Sequence, residues 1–360
     1  MIFQNKIKYV IFGNAQSGHL IKWVKALAPL CDLYVISSTS VAEEIFSVIN
    51  KDKCFSLYHQ TNSNGGNIKI LKSFFYFKKI IKKINPDIVN AHYITSHGLI
   101  TSIIKRFFGY KYVQVSSAWG SDILVTPKKN IIYKIITKFI LNSSNIITSD
   151  AQVMTEQINK LSKTMVLTFA FGIEKLPEIS LKEKNYSLFF SNRMLSPNYN
   201  IDKVIKHFAS IYKLNKQTRL IIANDGEDKV KLMQLCNELN INEVVEFKGF
   251  LTQKEQSELY RKSGFYYSLP TSDSTSVSLL EAMAWGCLPI VSDIPANKEW
   301  IENEKNGIII SEDNNSFLFD ILLKNEEIMK TNRDIIFKKA IFPNLINEYF
   351  CNVSQLIDNK

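Results

Sequence analysis

The sequence predicts an α/β protein built as two Rossmann-like domains, each with a parallel sheet, facing one another across an interdomain cleft. Three observations carry that expectation. Short, β-rich apolar segments alternate with helical segments along almost the whole chain, the pattern of right-handed β-α-β units. The alternation supplies six or seven strands in each half, which reads as two sheets and not one. A chain of 360 residues with 46% hydrophobic content can bury two cores.

In the first half the strand-like segments are "IKYVIFG", "DLYVISS", "FSLYH", "DIVNAH", "YVQVSS", "NIITSD" and "MVLTFA". They are short continuous apolar runs, as strands buried on both faces should be. Helical stretches such as "LIKWVKALAPL" and "ILKSFFYFKKIIKKI" lie between them. The second half repeats the scheme with "YSLFFSN", "RLIIAND", "VVEFKG", "FYYSLP", "LPIVSD" and "GIIIS". The charged, Pro-containing stretch "FGIEKLPEISLKEKN" has no clean period and reads as the boundary. The domains are expected at 1–172 and 184–335, with a helical end over 336–360.

The formal charge of +10 and pI near 9.1 favour an anionic partner: a nucleotide, a phospholipid surface or nucleic acid. No Lys/Arg block exceeds two or three residues, which argues against a nucleic-acid arm. Five scattered cysteines, none in a C-x-x-C pair, read as reduced thiols of a cytoplasmic protein. No apolar run approaches the roughly 18 residues of a membrane span, and the start lacks the apolar region of a signal peptide. The helix "FFYFKKIIKKI" fits either a core helix with a Lys-rich outer face or a docking element for an anionic inner membrane leaflet.

Ligands of open α/β sheets bind beyond the carboxyl ends of the strands, so chemistry belongs in the strand-to-helix loops. "GNAQSGHL" is the first such loop. Gly18 there permits either a close backbone approach to a phosphate or an ordinary tight turn. The second strand ends in Ser37 and Ser38, where a NAD-binding unit would carry an acid, so a dehydrogenase is disfavoured. "NAHYITSHG" places His92 at a strand end and His97 in the next turn; each is either a buried structural histidine or an acceptor contact. In "SSAWGSD", Asp122 is either a helix cap or a free acceptor. Arg193 closes "FFSNR", where its guanidinium can fork onto a diphosphate or pair with an acid. Gly249, ending "VVEFKG", is a further candidate for nucleotide contact.

The most specific stretch is "SDSTSVSLLEAMAWGCLPIVSD". A polar turn holding Asp273, Ser274 and Thr275 leads into a helix that starts near Ser276 and Val277 and stops at Gly286. Amides at that helix start have no intrahelical partner and carry partial positive charge, which suits an anion. Asp273 precedes them and Glu281 lies about one and a half turns in, so the two acids bracket the anion site. Taken singly, Asp273 is a turn residue and Glu281 a surface acid; together they point to two sets of sugar hydroxyls.

Acid, seven residues, Glu281, then "AMAWGCLPIV" resembles the C-terminal signature of the family 4 retaining glycosyltransferases of the GT-B fold. "SGHLIKWVKAL", "PDIVNAHY", "WGSD", "FGIE" and "NRML…YNID" resemble further motifs of that family. The resemblance implies a nucleotide-sugar donor, no metal and no separate cofactor. It implies a donor domain over 184–335, an acceptor-side domain over 1–172 and a last helix crossing back to the latter. Arg193 would hold the diphosphate, approached by Gly18. Glu281 would bind the ribose, and Asp273 with the amides after it the transferred sugar. The acceptor would be a glycan or lipid-linked glycan of cell-surface polysaccharide or lipopolysaccharide synthesis, at the inner membrane face. A GT-B sugar-nucleotide epimerase and a catalytically silent nucleotide-sugar binder are the alternatives. Three departures stand out. Asp273 replaces the common Glu. The phosphate-binding Lys falls on Asn198 or Tyr199, leaving Lys203 as a substitute. Trp119 replaces a His, leaving His92 and His97 to compensate.

Overall fold

The structure, a computed structural model, describes residues 6–59, 68–310 and 325–357. The chain divides into two compact units, Met1–Glu174 with Phe342–Lys360, and Lys175–Ile341. These limits differ from those read in the sequence, since 175–183 and 336–341 belong to the second unit. Its own contacts explain both additions. Arg333 donates to the carbonyls of Ala284 and Pro177, Arg261 pairs with Glu183, and Ile336 is fully buried within a helix that continues to Lys339.

The first unit is a parallel sheet of seven strands: β1 (Lys8–Gly13), β2 (Asp32–Ser37), β3 (Cys54–Ser56), β4 (Ile88–His92), β5 (Val113–Ser117), β6 (Ile146–Ser149) and β7 (Val166–Thr168). Their order is β3-β2-β1-β4-β5-β6-β7. Helices α1 (Gly18–Leu27), α2 (Phe74–Ile84), α3 (Leu99–Phe108), α4 (Ile131–Ser143) and α5 (Gln152–Asn159) connect them. Side chains alternate across β1 with the period of two that a pleated strand imposes. Tyr9 and Ile11 pack with Trp23 and Val24 of α1, whereas Val10 and Phe12 pack with Phe77 and Ile81 of α2. A final helix of this unit, Phe342–Ser354, adds Phe342, Ile346 and Tyr349 to the first cluster. Tyr349 Oη lies 2.7 Å from Tyr9 Oη, so two buried hydroxyls satisfy one another.

The second unit is a parallel sheet of six strands: β8 (Asn185–Ser191), β9 (Arg219–Ala223), β10 (Val245–Gly249), β11 (Ser263–Ser268), β12 (Leu288–Ser292) and β13 (Ile308–Ile310). Their order is β10-β9-β8-β11-β12-β13. Helices α6 (Ile201–Leu214), α7 (Lys229–Glu238), α8 (Gln253–Lys262), α9 (Val277–Ala284) and α10 (Asn325–Lys339) pack on it, and the helix Phe342–Ser354 becomes α11. Phe189, Phe265 and Tyr267 stack across β8 and β11 at the centre of the core.

Strand order fixes where ligands can bind. In each sheet the connection reverses direction at one point, and the loops leaving the two strands there diverge to open a crevice. In the first sheet those strands are β1 and β4, followed by the loops carrying Gly18 and His97. In the second they are β8 and β11, followed by the loops carrying Arg193 and Asp273. Among the described residues no helix is long and apolar enough to cross a membrane.

Candidate functional site

In the second unit the residues singled out in the sequence meet in one hydrogen-bonded network. Arg193 leaves the end of β8 with its side chain largely buried. One terminal nitrogen donates to Asp273 Oδ2 at 2.6 Å. The other donates to Ser276 Oγ at 2.5 Å and Ser278 Oγ at 2.9 Å. The guanidinium also lies over the Tyr199 ring, 4.5 Å from its centroid. Its Nε is buried without a hydrogen-bond partner. The sequence left two fates for Arg193, diphosphate or acid; without ligand it is paired, and its partner is the site acid itself.

The loop holding Asp273 is shaped from several sides. Thr271 donates its amide to the Asn198 carbonyl (2.7 Å), and Asn198 Nδ2 donates to the Ser272 carbonyl (3.0 Å). Asn200, with φ of +48°, donates to the Leu269 carbonyl and to Thr271 Oγ1. Asp273 Oδ1 accepts the Ser274 amide at 3.0 Å. Burial pushes the Asp273 carboxyl up, against the pull of Arg193 and that amide. Asn198 and Tyr199 thus tie the Asp273 loop and stack on Arg193. Lys203 is exposed on the first turn of α6.

Ser276 caps α9, its Oγ accepting the Leu279 amide at 3.4 Å. The first-turn amides of Val277 and Ser278 have no intrahelical acceptor, the general property of a helix start that suits an anion. The helix ends with Gly286 at φ +77°, as its position after "AMAW" suggested. Glu281 Oε2 accepts from Gln256 Nε2 at 3.1 Å and lies 3.3 Å from Tyr260 Oη. Asn192 Nδ2 donates to Tyr260 Oη (2.9 Å), and Tyr266 Oη donates to Asn192 Oδ1 (2.7 Å). Tyr266 Oη is also 2.8 Å from Ser278 Oγ. A continuous polar chain therefore links Asp273 to Glu281 through Arg193, Ser278, Tyr266, Asn192 and Tyr260. Burial pushes Tyr266 up to about 12 and raises Tyr260 well above its ordinary value, so both stay protonated and able to donate.

Sequence reasoning missed Asn192, Gln256, Tyr260 and Tyr266. The alternation in "FYYSLP" separates Tyr266 from the core-facing Tyr267, a usable signal for the former. Gln256 and Tyr260 lie four apart on one face of α8, but nothing local aims that face at Glu281. Gly249 ends β10 at φ +67°, where its carbonyl accepts the Asn224 amide at 2.6 Å. Nothing lies within 4 Å of where a Cβ at Gly249 would stand. Ser274 and Thr275 are buried in the same loop, and Trp300 Nε1 lies 3.4 Å from Thr275 Oγ1.

The first unit holds the other candidates. Gly18 opens α1, and a Cβ there would meet nothing within 4 Å; among the described residues no close approach requires a glycine. Ser37 Oγ accepts the Ala15 amide and donates to the Ser40 carbonyl, so the position that an acid would take serves to hold the loop. His92 ends β4, is buried, and has no hydrogen-bond partner on either ring nitrogen. It packs edge-on against Trp23 (5.0 Å) and near Trp119 (5.5 Å). Burial, then the neighbouring histidines, bring His92 down to about 3, and burial brings His97 to about 3. Both are neutral near pH 7, so His92 can offer a hydrogen bond but is no acid catalyst there. Asp122 is fully committed: its oxygens accept the Ile94 and Trp119 amides, each at 2.9 Å. That geometry is neither of the roles left open in the sequence: Asp122 lies inside the short helix Ser121–Leu124, whose N-cap Gly120 has no side-chain cap bond, and it ties the Ile94 and Trp119 backbone together. Burial raises its carboxyl to about 6, against the pull of those amides.

Comparison with known proteins follows the same division. Residues 172–336 match the family described as Glycosyl transferases group 1, and residues 7–151 match Glycosyl transferase 4-like. The chain is 23% identical over 341 residues to a UDP-N-acetylglucosamine–peptide N-acetylglucosaminyltransferase GtfA subunit of Streptococcus agalactiae, covering 85% of this chain and 66% of the relative. It is 30% identical over 163 residues to the GtfA subunit of Streptococcus parasanguinis, covering 44% of this chain and 31% of the relative. The chain thus spans about a third to two thirds of the length of these relatives. Among solved structures, Anabaena HepE in complex with UDP and glucose superposes with a TM-score of 0.77 at 14% identity, over 97% of this chain and 100% of the other. The sucrose-phosphate synthase of Thermosynechococcus elongatus gives 0.79 at 12% identity, over 99% and 100%. The fold is that of the GT-B glycosyltransferases, two Rossmann-like units with parallel sheets.

Proposed function

The chain belongs to the group 1 glycosyltransferases, and on that footing we propose that it moves a sugar from a nucleoside-diphosphate donor to a glycan or lipid-linked glycan acceptor. The transfer retains anomeric configuration, needs no metal or organic cofactor, and serves cell-surface polysaccharide synthesis. Association with an anionic membrane face is part of the same reading. One observation carries it: the buried network that joins Arg193 and Asp273 to the start of α9, with Glu281 farther along that helix.

The chemistry follows from the parts. A diphosphate is a stronger match to a guanidinium and two helix amides than a single carboxylate. Donor binding therefore exchanges Asp273 for phosphate oxygens at Arg193, whose unpartnered Nε adds a donor. Asp273, released, accepts hydroxyls of the transferred sugar. Glu281, oriented by Gln256 and Tyr260, accepts the ribose hydroxyls. The bond from the sugar to the β-phosphate oxygen breaks as the acceptor oxygen bonds to the same face, and the acceptor proton passes to the leaving phosphate. Relatives named for UDP-N-acetylglucosamine, and a similar fold holding UDP and glucose, support a uridine donor.

A non-catalytic binder is the second reading, favoured by the closed Arg193–Asp273 pair and by Asn198 and Tyr199 in place of a lysine. Turnover separates the two. The protein is incubated with a panel of UDP-sugars, with and without EDTA, and UDP release is followed. Release with every donor no faster than in buffer supports the binder. EDTA-sensitive release overturns the metal-free mechanism, and an inverted product by NMR overturns retention.

A further inference from the structure

Twelve lysines and arginines but only two acids lie within residues 72–138, a net +10 that equals the formal charge of the whole chain. Of the two acids, Asp122 is buried on amides and Asp87 is half-buried and accepts the Lys8 amide. The segment contains α2, α3 and most of α4, and none of these helices carries an acidic residue.

The same helices expose a joined apolar ridge. Ile131 and Ile135 of α4 are 66% and 60% exposed, and Phe139 follows one turn on along the same stripe. Phe107 at the end of α3 stacks against Phe139, with ring centroids 6.3 Å apart, and is 69% exposed. Phe108 is 5.7 Å from Phe74 of α2, which meets the 78%-exposed Phe75 at 5.5 Å. Lys78 sits over the Phe108 ring at 3.7 Å. Beside Phe139 a shallow hollow of about 930 Å³ is lined by Lys105, Arg106, Lys111 and Tyr110. Singly exposed apolar residues are ordinary; a connected ridge across three helices is not.

We propose that α2, α3 and the outer face of α4 form a surface that seats on an anionic lipid bilayer, the ridge entering the headgroup region and the basic hollow holding lipid phosphates. This deepens the membrane element of the proposed function and names its residues. Charge complementarity selects an anionic surface. The aliphatic part of the ridge selects lipid over nucleic acid, because Ile131 and Ile135 can neither stack on bases nor hydrogen-bond to them. The sequence pointed to residues 74–84 alone; α2 instead buries Phe77, Ile80, Ile81 and Ile84 and contributes one end of a larger face.

The test uses the full chain and vesicle cosedimentation, comparing equal parts phosphatidylglycerol and phosphatidylcholine with phosphatidylcholine alone. Expected is about tenfold tighter binding to the anionic vesicles, largely lost at about 0.5 M salt. F107S/I135S is expected to weaken vesicle binding about tenfold while UDP affinity by calorimetry is unchanged. K79E/K134E, which leaves the ridge intact, serves where the first variant does not fold and is expected to lose the preference for anionic lipid. Equal binding to both vesicle types, wild-type binding by a folded variant, or tighter binding to polyuridylate than to vesicles would each overturn the proposal. UDP binding and turnover are read on the same preparation, so failure of the donor assignment registers separately from failure on vesicles.

Discussion

Glu281 and Asp273 have the same charge and opposite predicted effects on donor binding. Glu281 keeps two neutral donors, Gln256 and Tyr260, and in the proposed complex accepts ribose hydroxyls. A hydrogen bond to a charged group contributes about 1.5–3 kcal/mol, so E281A should weaken UDP binding by about ten- to a hundredfold. Unchanged affinity by calorimetry would remove Glu281 from the donor site. Asp273 competes with the diphosphate for Arg193. D273N removes that competition and one negative charge, so UDP should bind as tightly as to wild type or tighter, while turnover falls by about tenfold or more. Weaker UDP binding by a folded D273N would mean that the pair positions Arg193 and does not restrain it. Both acids were legible in the sequence because a polar turn, a helix start and a regular spacing lie in one contiguous stretch. Their pairing was not, since Arg193 reaches Asp273 only through the adjacency of β8 and β11, eighty residues apart in the chain. The tyrosines escaped for the same reason: burial and a through-space network decide their role.

At the scale of elements, the central strands were legible because β1, β4, β5, β6 and β11 are short runs buried along almost their whole length, and such runs are hard to mistake when helices separate them. The limits of the units were not, because contacts and not composition set them: Arg333 ties residues after 325 to Pro177. Helix α9 offers a direct check on how local sequence fixes the site. Gly286 stops it in a left-handed conformation, and a Cβ there would stand 2.6 Å from Met329 Cε on α10. G286A should cost about 1–2 kcal/mol from the backbone term alone, with more if Met329 cannot move. Thermal unfolding should show the second unit melting earlier with the first unchanged. A G286A protein as stable as wild type would mean that the end of α9 relaxes without cost.

For the whole chain, the concentration of net charge in residues 72–138 can be counted in the sequence, whereas its union with exposed aromatic rings on one face comes only when three helices pack. The same unit also concentrates its buried histidines, with a consequence for acid stability. His92 and His97 are neutral in the folded protein down to about pH 3, whereas in the unfolded chain each takes a proton near 6.5. A depressed folded pKa contributes stability that is complete above the unfolded value and is lost as pH falls toward the folded one. Each histidine should therefore remove about 1.4 kcal/mol per pH unit below 6.5. Asp122 acts in the opposite sense. Its carboxyl is raised to about 6 in the folded unit, so from there down to the unfolded value of 3.8 the native state takes up the extra proton. That offsets about one histidine over the window, while His19, lowered to about 4, adds a further loss in the same sense as His92 and His97, so the first unit loses stability as pH falls from 6 to 4. Chemical denaturation from pH 7 to 4.5, with fluorescence from Trp23 and Trp119 reporting the first unit, should show that loss. H97F removes one ionisation and should reduce the slope by about 1.4 kcal/mol per pH unit while leaving the second unit unaffected. A first unit whose stability is constant from pH 7 to 4.5 in the wild-type protein would mean that His92 and His97 take up protons in the folded unit and are not held neutral by burial.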